Sequence, residues 1–209
     1  MNLLDAMNWR YAVKAFDPEK QVADEKIEHL LKVAHLAPTS MGQQPFVILW
    51  VKNPEVRKQL VPHSYGQEKV ATSSHLLVFC AKTNLNDASV DAFMQHAASV
   101  SGQPITAYDG FSAMVKGFLG MMTEEIKLGW ASRQAYLAMG SLLTAAAIEQ
   151  IDSCPMEGFV ASAYDEVLGL KEKNLTAICA ISLGHRSADD ATQHYPKIRL
   201  PYETIIQTV

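Results

Sequence analysis

Three uninterrupted apolar runs of strand length constrain the fold of this chain more than any other feature. They occupy residues 46–51 (FVILWV), 75–81 (HLLVFCA) and 177–183 (AICAISL). A strand that is apolar at every position is covered on both faces, so these runs predict central strands with helices on each side. Segments with helical character alternate with the runs, which favours an α/β or α+β fold.

The segments between the apolar runs predict helices. Residues 24–36 place Ile27, Leu30, Leu31 and Ala34 on one helical face. A short helix is predicted over residues 3–9, and Asn53-Pro54 is a typical helix start. Thr123 followed by two glutamates predicts the start of a long helix that ends near residue 150.

The middle of the long helix, residues 131–147, is rich in alanine, glycine and serine and nearly free of charge. A helix that is apolar nearly all round is buried on all sides. Two explanations remain open from the sequence. The segment is either the core helix of the domain, or part of it packs against a second subunit.

Composition narrows the class of protein. A chain of 209 residues suits a single domain over residues 1–209, and its net charge of −4 argues against nucleic acid as a partner. Cys80, Cys154 and Cys179 are far apart in apolar surroundings, which predicts buried free thiols in a reducing compartment. The longest uncharged run, residues 134–148, is shorter than a membrane span, and no secretion signal is visible. We therefore expect a cytoplasmic protein without membrane contact.

The sequence contains no motif for a catalyst made of side chains. Neither GxSxG, HExxH, a P-loop nor GxGxxG is present, and none of the seven histidines pairs at the helical spacing of metal ligands. No metal site is expected. If the protein is an enzyme, a bound cofactor supplies the chemistry.

Four short segments carry groups suited to binding such a cofactor. Residues 10–16 (RYAVKAF) hold two cations beside aromatic rings, and residues 38–46 (PTSMGQQPF) form a polar loop before a strand. Residues 155–159 (PMEGF) include a glycine that permits close approach of a ligand. In residues 196–201 (PKIRLP) the two cations lie on one side of an extended segment.

These four segments occur along the chain together with SSHLLVFCAK and GLKEK. Their order and spacing resemble those of the nitroreductase family, including its dihydropteridine reductase members. The resemblance covers nearly the whole chain. It implies an FMN-dependent NAD(P)H oxidoreductase with an α+β three-layer sandwich, in which a mixed central sheet is flanked by helices. It also implies a homodimer whose C-terminal extension, residues 202–209, adds to the partner's sheet.

The resemblance assigns expected roles to residues of this chain. Arg10, Lys197 and Arg199 would hold the FMN phosphate, which suits the charge-assisted bonds of guanidinium groups. Lys14 and Lys69 would stabilise negative charge at the pyrimidine end of the flavin. The remaining cofactor contacts would come from Tyr11, Ala12, Ser40, Gln67, Pro155, Met156, Glu157 and Gly158, with Gln67 replacing an asparagine usual near Gly66 and with Glu157 as a possible auxiliary.

The implied mechanism is ping-pong transfer of hydride from NAD(P)H, through flavin N5, to a nitroaromatic, quinone or pterin. Two alternatives remain open: a flavin carrier without turnover, and another flavin reaction such as reductive dehalogenation or flavin breakdown. The segment 87–122 would cover the pocket and decide the reaction. Its residues Phe111, Phe118 and Met122 line either that pocket or the core.

Overall fold

The computed structural model describes residues 2–209. Its sheet contains β1 (Phe46–Trp50), β2 (His75–Lys82), β3 (Asp152–Met156) and β4 (Leu175–Gly184), in the spatial order β1-β2-β4-β3. All three strand pairs are antiparallel. The expected mixed sheet is therefore wrong for these strands, and within residues 2–209 parallel pairing is confined to an isolated bridge between Ala12 and Ser153.

The apolar runs predict three strands correctly, but they do not predict the position of every strand in the sheet. β2 and β4 are central and almost wholly buried, as expected. β1 pairs only with β2, so it is an edge strand, and its side chains are half-buried. β3 was not predicted, and Pro155 and Met156 of the 155–159 segment belong to it.

The helices match the predicted pattern and add several short elements. They are α1 (Leu3–Trp9), α2 (Asp24–His35), α3 (Pro54–Leu60), α4 (Lys69–Thr72), α5 (Asp87–Ser101), α6 (Asp109–Gly120), α7 (Glu124–Ile148), α8 (Ala161–Val167) and α9 (Tyr202–Ile205). The start of α7 is capped as predicted, since the Thr123 side chain accepts from the Ile126 N–H at 3.3 Å.

The sheet lies between two helical layers. Along β2, Leu76, Val78 and Cys80 enter one core cluster, and the alternate residues Leu77 and Phe79 enter another. The first cluster includes residues of α3, α4 and α8, and the second includes residues of α2 and α7. This is the expected three-layer α+β sandwich, and α5 and α6 form a further cluster with the start of α7.

Helix α7 is buried on one side only. Ala135, Ala138 and Leu142 are fully buried in the second core cluster, whereas Leu137 and Ile148 are 49% and 46% exposed. The expectation of burial on all sides is therefore wrong for the isolated chain. An apolar strip along this helix is left uncovered.

The C-terminal tail also differs from its expected form. Residues 202–209 were expected to be strand-like, but Tyr202–Ile205 forms one short helical turn and the whole tail is exposed. The cysteine prediction is confirmed, since Cys80, Cys154 and Cys179 are free and buried. Across residues 2–209, none of the helices combines the length and apolar character that crossing a bilayer requires.

Candidate functional site

The N-terminal segment 10–16 is fastened to the sheet beside β3. Ala12 forms its parallel bridge with Ser153, and the Val13 N–H donates to the Ser153 carbonyl at 3.2 Å. Farther along, Phe16 pairs with Arg186, just past the end of β4. Val13 and Phe16 are buried, so the segment is fixed by the core, while Arg10 is half-buried and Lys14 is exposed.

A cavity of about 490 Å³ separates this segment from the C-terminal part of the chain. Arg10, Lys14, Lys197 and Arg199 all contribute to its walls. The structure thus brings together cations from opposite ends of the sequence. Its other lining residues are Asn8, Trp9, Tyr11, Ala12, Thr192, Gln193, Tyr195, Pro196 and Ile198.

The cations of this cavity are not neutralised by the protein. Over residues 2–209, none of Arg10, Lys14, Lys197 and Arg199 forms a salt bridge. Burial lowers the pKa of Arg10, and the charge of Arg199 lowers it further. The Nε of Arg10 is buried and has no hydrogen-bond partner. An anion in the cavity would neutralise the charge of these cations.

Lys197 plays a different part from the two arginines. Its Nζ donates to the Met7 carbonyl at 2.8 Å and to the Arg10 carbonyl, so it joins the C-terminal segment to the end of α1. Burial lowers the pKa of Lys197, and the charges of Arg10 and Arg199 add to this effect. In the isolated chain Lys197 positions the arginines as well as contributing charge.

A partly buried ion pair packs against two residues that line the cavity. Arg186 donates from Nη2 and Nε to Asp152 at 2.6 and 2.9 Å. The Arg186 guanidinium also lies over the rings of Trp9 and Tyr11, with its centre 4.4 and 4.6 Å from the ring centroids. The sequence analysis missed Arg186 and Asp152, because neither lies in a recognisable motif.

A second group of predicted residues adjoins the cavity. The Lys69 Nζ donates to Gln67 Oε1 at 2.6 Å, and Gln67 Nε2 donates to the Gly158 carbonyl at 2.7 Å. A Cβ at Gly158 would lie 3.2 Å from Gln67 Nε2, so a larger residue at this position would require the Gln67 amide to shift. Glu157 precedes it on the exposed turn after β3. The amide of Gln67 therefore holds Lys69 and the 157–158 turn together.

Cys154 lies where the two groups meet. Burial raises the pKa of Cys154, and the charges of Lys69, Lys14 and Arg10 oppose that effect. Burial lowers the pKa of Lys69, and the nearby charge of Lys14 lowers it further. Lys14 and Lys69 are therefore close enough to repel one another, so the cations form one continuous positive region.

Ser40 is the predicted site residue that the structure leaves apart. It begins a short 3-10 turn, and its N–H donates to Gln134 Oε1 of α7 at 2.8 Å. Ser40 is not among the residues that line the cavity. Phe111, Phe118 and Met122 pack against the third core cluster, which favours the core alternative for these residues.

A larger groove of about 850 Å³ follows the uncovered strip of α7. Leu137, Gly140, Thr144 and Ile148 line it from the helix, and Met7 of α1 closes one side. Arg10 borders both this groove and the cation-lined cavity. The two depressions are therefore neighbours.

Comparison with known proteins identifies the fold as a widespread one. A protein from Exiguobacterium sibiricum, provisionally named a nitroreductase and solved with FMN, superposes with a TM-score of 0.85 over 100% of this chain and 98% of its own, at 19% identity. The enone reductase CLA-ER superposes with a TM-score of 0.77 at 17% identity, over 100% of this chain and 97% of its own. These likenesses establish the fold.

Sequence similarity establishes the family. The model of the nitroreductase family matches residues 7–185. YfkO of Bacillus subtilis, provisionally named an NAD(P)H nitroreductase, is 34% identical over 99% of this chain and 97% of its own length. The oxygen-insensitive NAD(P)H nitroreductase of Salmonella typhimurium is 30% identical over the full length of both. The chain belongs to the nitroreductase family.

Proposed function

We propose that this protein, as a single domain over residues 1–209, is an FMN-dependent NAD(P)H oxidoreductase. The observation that carries the proposal is the cavity lined by Arg10, Lys14, Lys197 and Arg199, which have no carboxylate partner within residues 2–209. Relatives named NAD(P)H nitroreductases and a fold neighbour solved with FMN support the same assignment.

The residues present fit a flavin phosphate. Arg10 and Arg199 offer paired donors to a dianion, and Lys197 holds their two segments together. Tyr11 and Ala12 line the same wall. The pyrimidine end of the flavin would lie by Lys14 and Lys69, where positive charge favours the reduced form. Pro155 and Met156 at the end of β3, with Glu157 and Gly158 in the turn that follows, would border the ring, and Gln67 holds that turn in place.

The chemistry that FMN supplies when bound is acceptance of hydride from NAD(P)H and transfer of two electrons to a second substrate. The residues of the chain would bind and orient FMN and its substrates. The chain's cations would hold the phosphate and the pyrimidine end, which would leave one face of the ring open to substrates near Glu157 and Gly158. Both substrates would use this face in turn, which predicts ping-pong kinetics with nitroaromatic, quinone or pterin acceptors.

Binding and turnover can be tested separately. The purified protein should retain or take up FMN and become yellow, and NADH or NADPH should bleach it in the absence of air. Repeated oxidation of the nicotinamide with a quinone or a nitroaromatic should follow. Failure to bind FMN would refute the proposal, whereas binding without turnover would establish the flavin carrier instead.

We infer a homodimer as the working form. The groove along α7 leaves Leu137 and Ile148 exposed, and a second copy of the same helix would cover them. Ser40 lies outside the cavity of its own chain, and a dimer could bring it to the partner's flavin. Removal of residues 202–209 should weaken the dimer if the tail adds to the partner's open β1 edge. Light scattering of both proteins tests these points.

A further inference from the structure

Asp190 is a buried carboxylate at the cavity that the proposed reaction does not use. It precedes the 3-10 turn Ala191–His194 and is only 3% exposed. Its Oδ2 accepts from the Lys14 N–H at 2.7 Å, from the Ala15 N–H at 3.3 Å and from the Tyr11 hydroxyl at 3.1 Å. Its Oδ1 accepts from the Thr192 N–H at 2.9 Å and from the Thr192 hydroxyl at 2.5 Å.

Each oxygen of the Asp190 carboxylate accepts hydrogen bonds from a different wall of the cavity. Oδ2 binds only the N-terminal segment, at residues 11, 14 and 15, and Oδ1 binds only the turn that leads to Lys197 and Arg199. A single planar carboxylate thus connects the segment carrying Arg10 and Lys14 with the segment carrying the other two cations. The connection spans 175 or more residues of sequence.

The negative charge of Asp190 does not neutralise the cations beside it. Within the described part of the chain, no lysine or arginine forms a salt bridge with Asp190. Burial raises the pKa of Asp190, but the bonds from Thr192, Lys14 and Ala15 outweigh it and lower the pKa to about 2. The carboxylate is therefore ionised throughout the working pH range, and the cations stay free for a ligand.

We propose that Asp190 is a positioning residue for the anion site, holding the N-terminal and C-terminal cations at the spacing that a phosphate group requires. The five donors all suit a carboxylate, which only accepts. An asparagine would turn its NH₂ group toward donors on one wall, so that wall would lose its acceptor and move. The site would keep its cations but lose their relative placement.

The inference rests on the proposed FMN function, and it is tested by comparing two flavins that differ in one group. FMN carries the phosphate and riboflavin does not, so the ratio of their affinities isolates the anion site. In the flavin-free, full-length protein, Asp190→Asn should lower FMN affinity about 10-fold or more, the effect of losing one charged hydrogen bond. Riboflavin affinity should stay within about twofold, as expected when no contact to the ring is lost.

Asp189→Asn is the matched control. Asp189 is the exposed neighbour, so this variant makes the same change of charge without touching the walls. It should keep the parent's ratio of FMN to riboflavin affinity. An equal loss of FMN affinity in both variants would overturn the inference, because the loss would then not depend on the contacts that Asp190 makes with the two walls.

The remaining outcomes separate the two proposals. A parent protein that binds FMN no better than riboflavin would refute the proposed phosphate site. A parent that prefers FMN, with the same preference in Asp190→Asn, would overturn the role of Asp190 alone. If Asp190→Asn does not fold, Asp190→Glu replaces it, because the longer side chain cannot reach all five donors, and an unchanged ratio there would also overturn the inference.

Discussion

Substituting Gly184 by alanine tests how closely the cation-bearing segment is held to the sheet. Gly184 ends β4 beneath Phe16, and a Cβ there would lie 2.8 Å from Phe16 Cδ1 and 3.2 Å from the Ser74 nitrogen. Ser74 contributes a backbone atom, so Phe16 has to move. Phe16 belongs to the same extended segment as Arg10 and Lys14, and its displacement reaches the cavity.

Overpacking of this kind costs about 1–3 kcal/mol. In a chain of this size each kcal/mol lowers Tm by roughly 2–4 °C, so Gly184→Ala should melt roughly 2–12 °C below the parent. Calorimetry of the flavin-free protein measures the shift. FMN affinity, measured by quenching of flavin fluorescence on the same samples, should fall as well.

Gly117→Ala is the control, because a Cβ at Gly117 in α6 meets no atom within 4 Å. Alanine is a better helix former, so this variant should equal the parent or exceed it by up to about 1 kcal/mol. If Gly184→Ala is as stable as the parent, the close approach of Phe16 does not hold the segment, and the reasoning is refuted.

Three further predictions follow from the site, from α7 and from β2. Arg199→Ala should lower FMN affinity roughly 10- to 150-fold, the effect of one charge-assisted hydrogen bond, and an unchanged Kd would remove Arg199 from the phosphate site. Leu137→Asp should convert the dimer to monomers in light scattering, since it places a charge on the uncovered strip of α7, and a persisting dimer would place the interface elsewhere. Burial lowers the pKa of His75 although its bond to the Val22 carbonyl raises it, so folding favours the neutral ring and stability should fall as pH drops below 6.5. Thermal melts of parent and His75→Gln should diverge in that window, and parallel pH profiles would contradict this role.

The sequence predicts the buried strands well because their apolar character is continuous. It misses β3 because Asp152, Ser153 and Pro155 interrupt the apolar pattern, and proline is unusual in a strand. It misplaces β1 because an edge strand covered by helices has the same composition as a central one. The apolar runs do not specify strand direction, and the mixed sheet that the resemblance implied is wrong for these four strands, which pair antiparallel.

The cations of the site could be found from the sequence, but their supporting groups could not. Arg10, Lys14, Lys197 and Arg199 stand in short segments with recognisable spacing. Asp190 lies in a polar stretch. The local signal there is a turn in which the Asp190 side chain accepts a hydrogen bond from the Thr192 N–H. Its partners at residues 11, 14 and 15 are distant in sequence, and no local pattern encodes such contacts.

The assembly of one cavity from both ends of the chain has a consequence for biosynthesis. During translation Arg10 emerges well before Lys197 and Arg199, because most of the domain lies between them in the sequence. A nascent polypeptide that has not yet reached residue 197 therefore has cations on only one wall of the cavity. Under the proposed function such a polypeptide would retain FMN poorly, so flavin would be loaded only after the 196–201 segment has been synthesised.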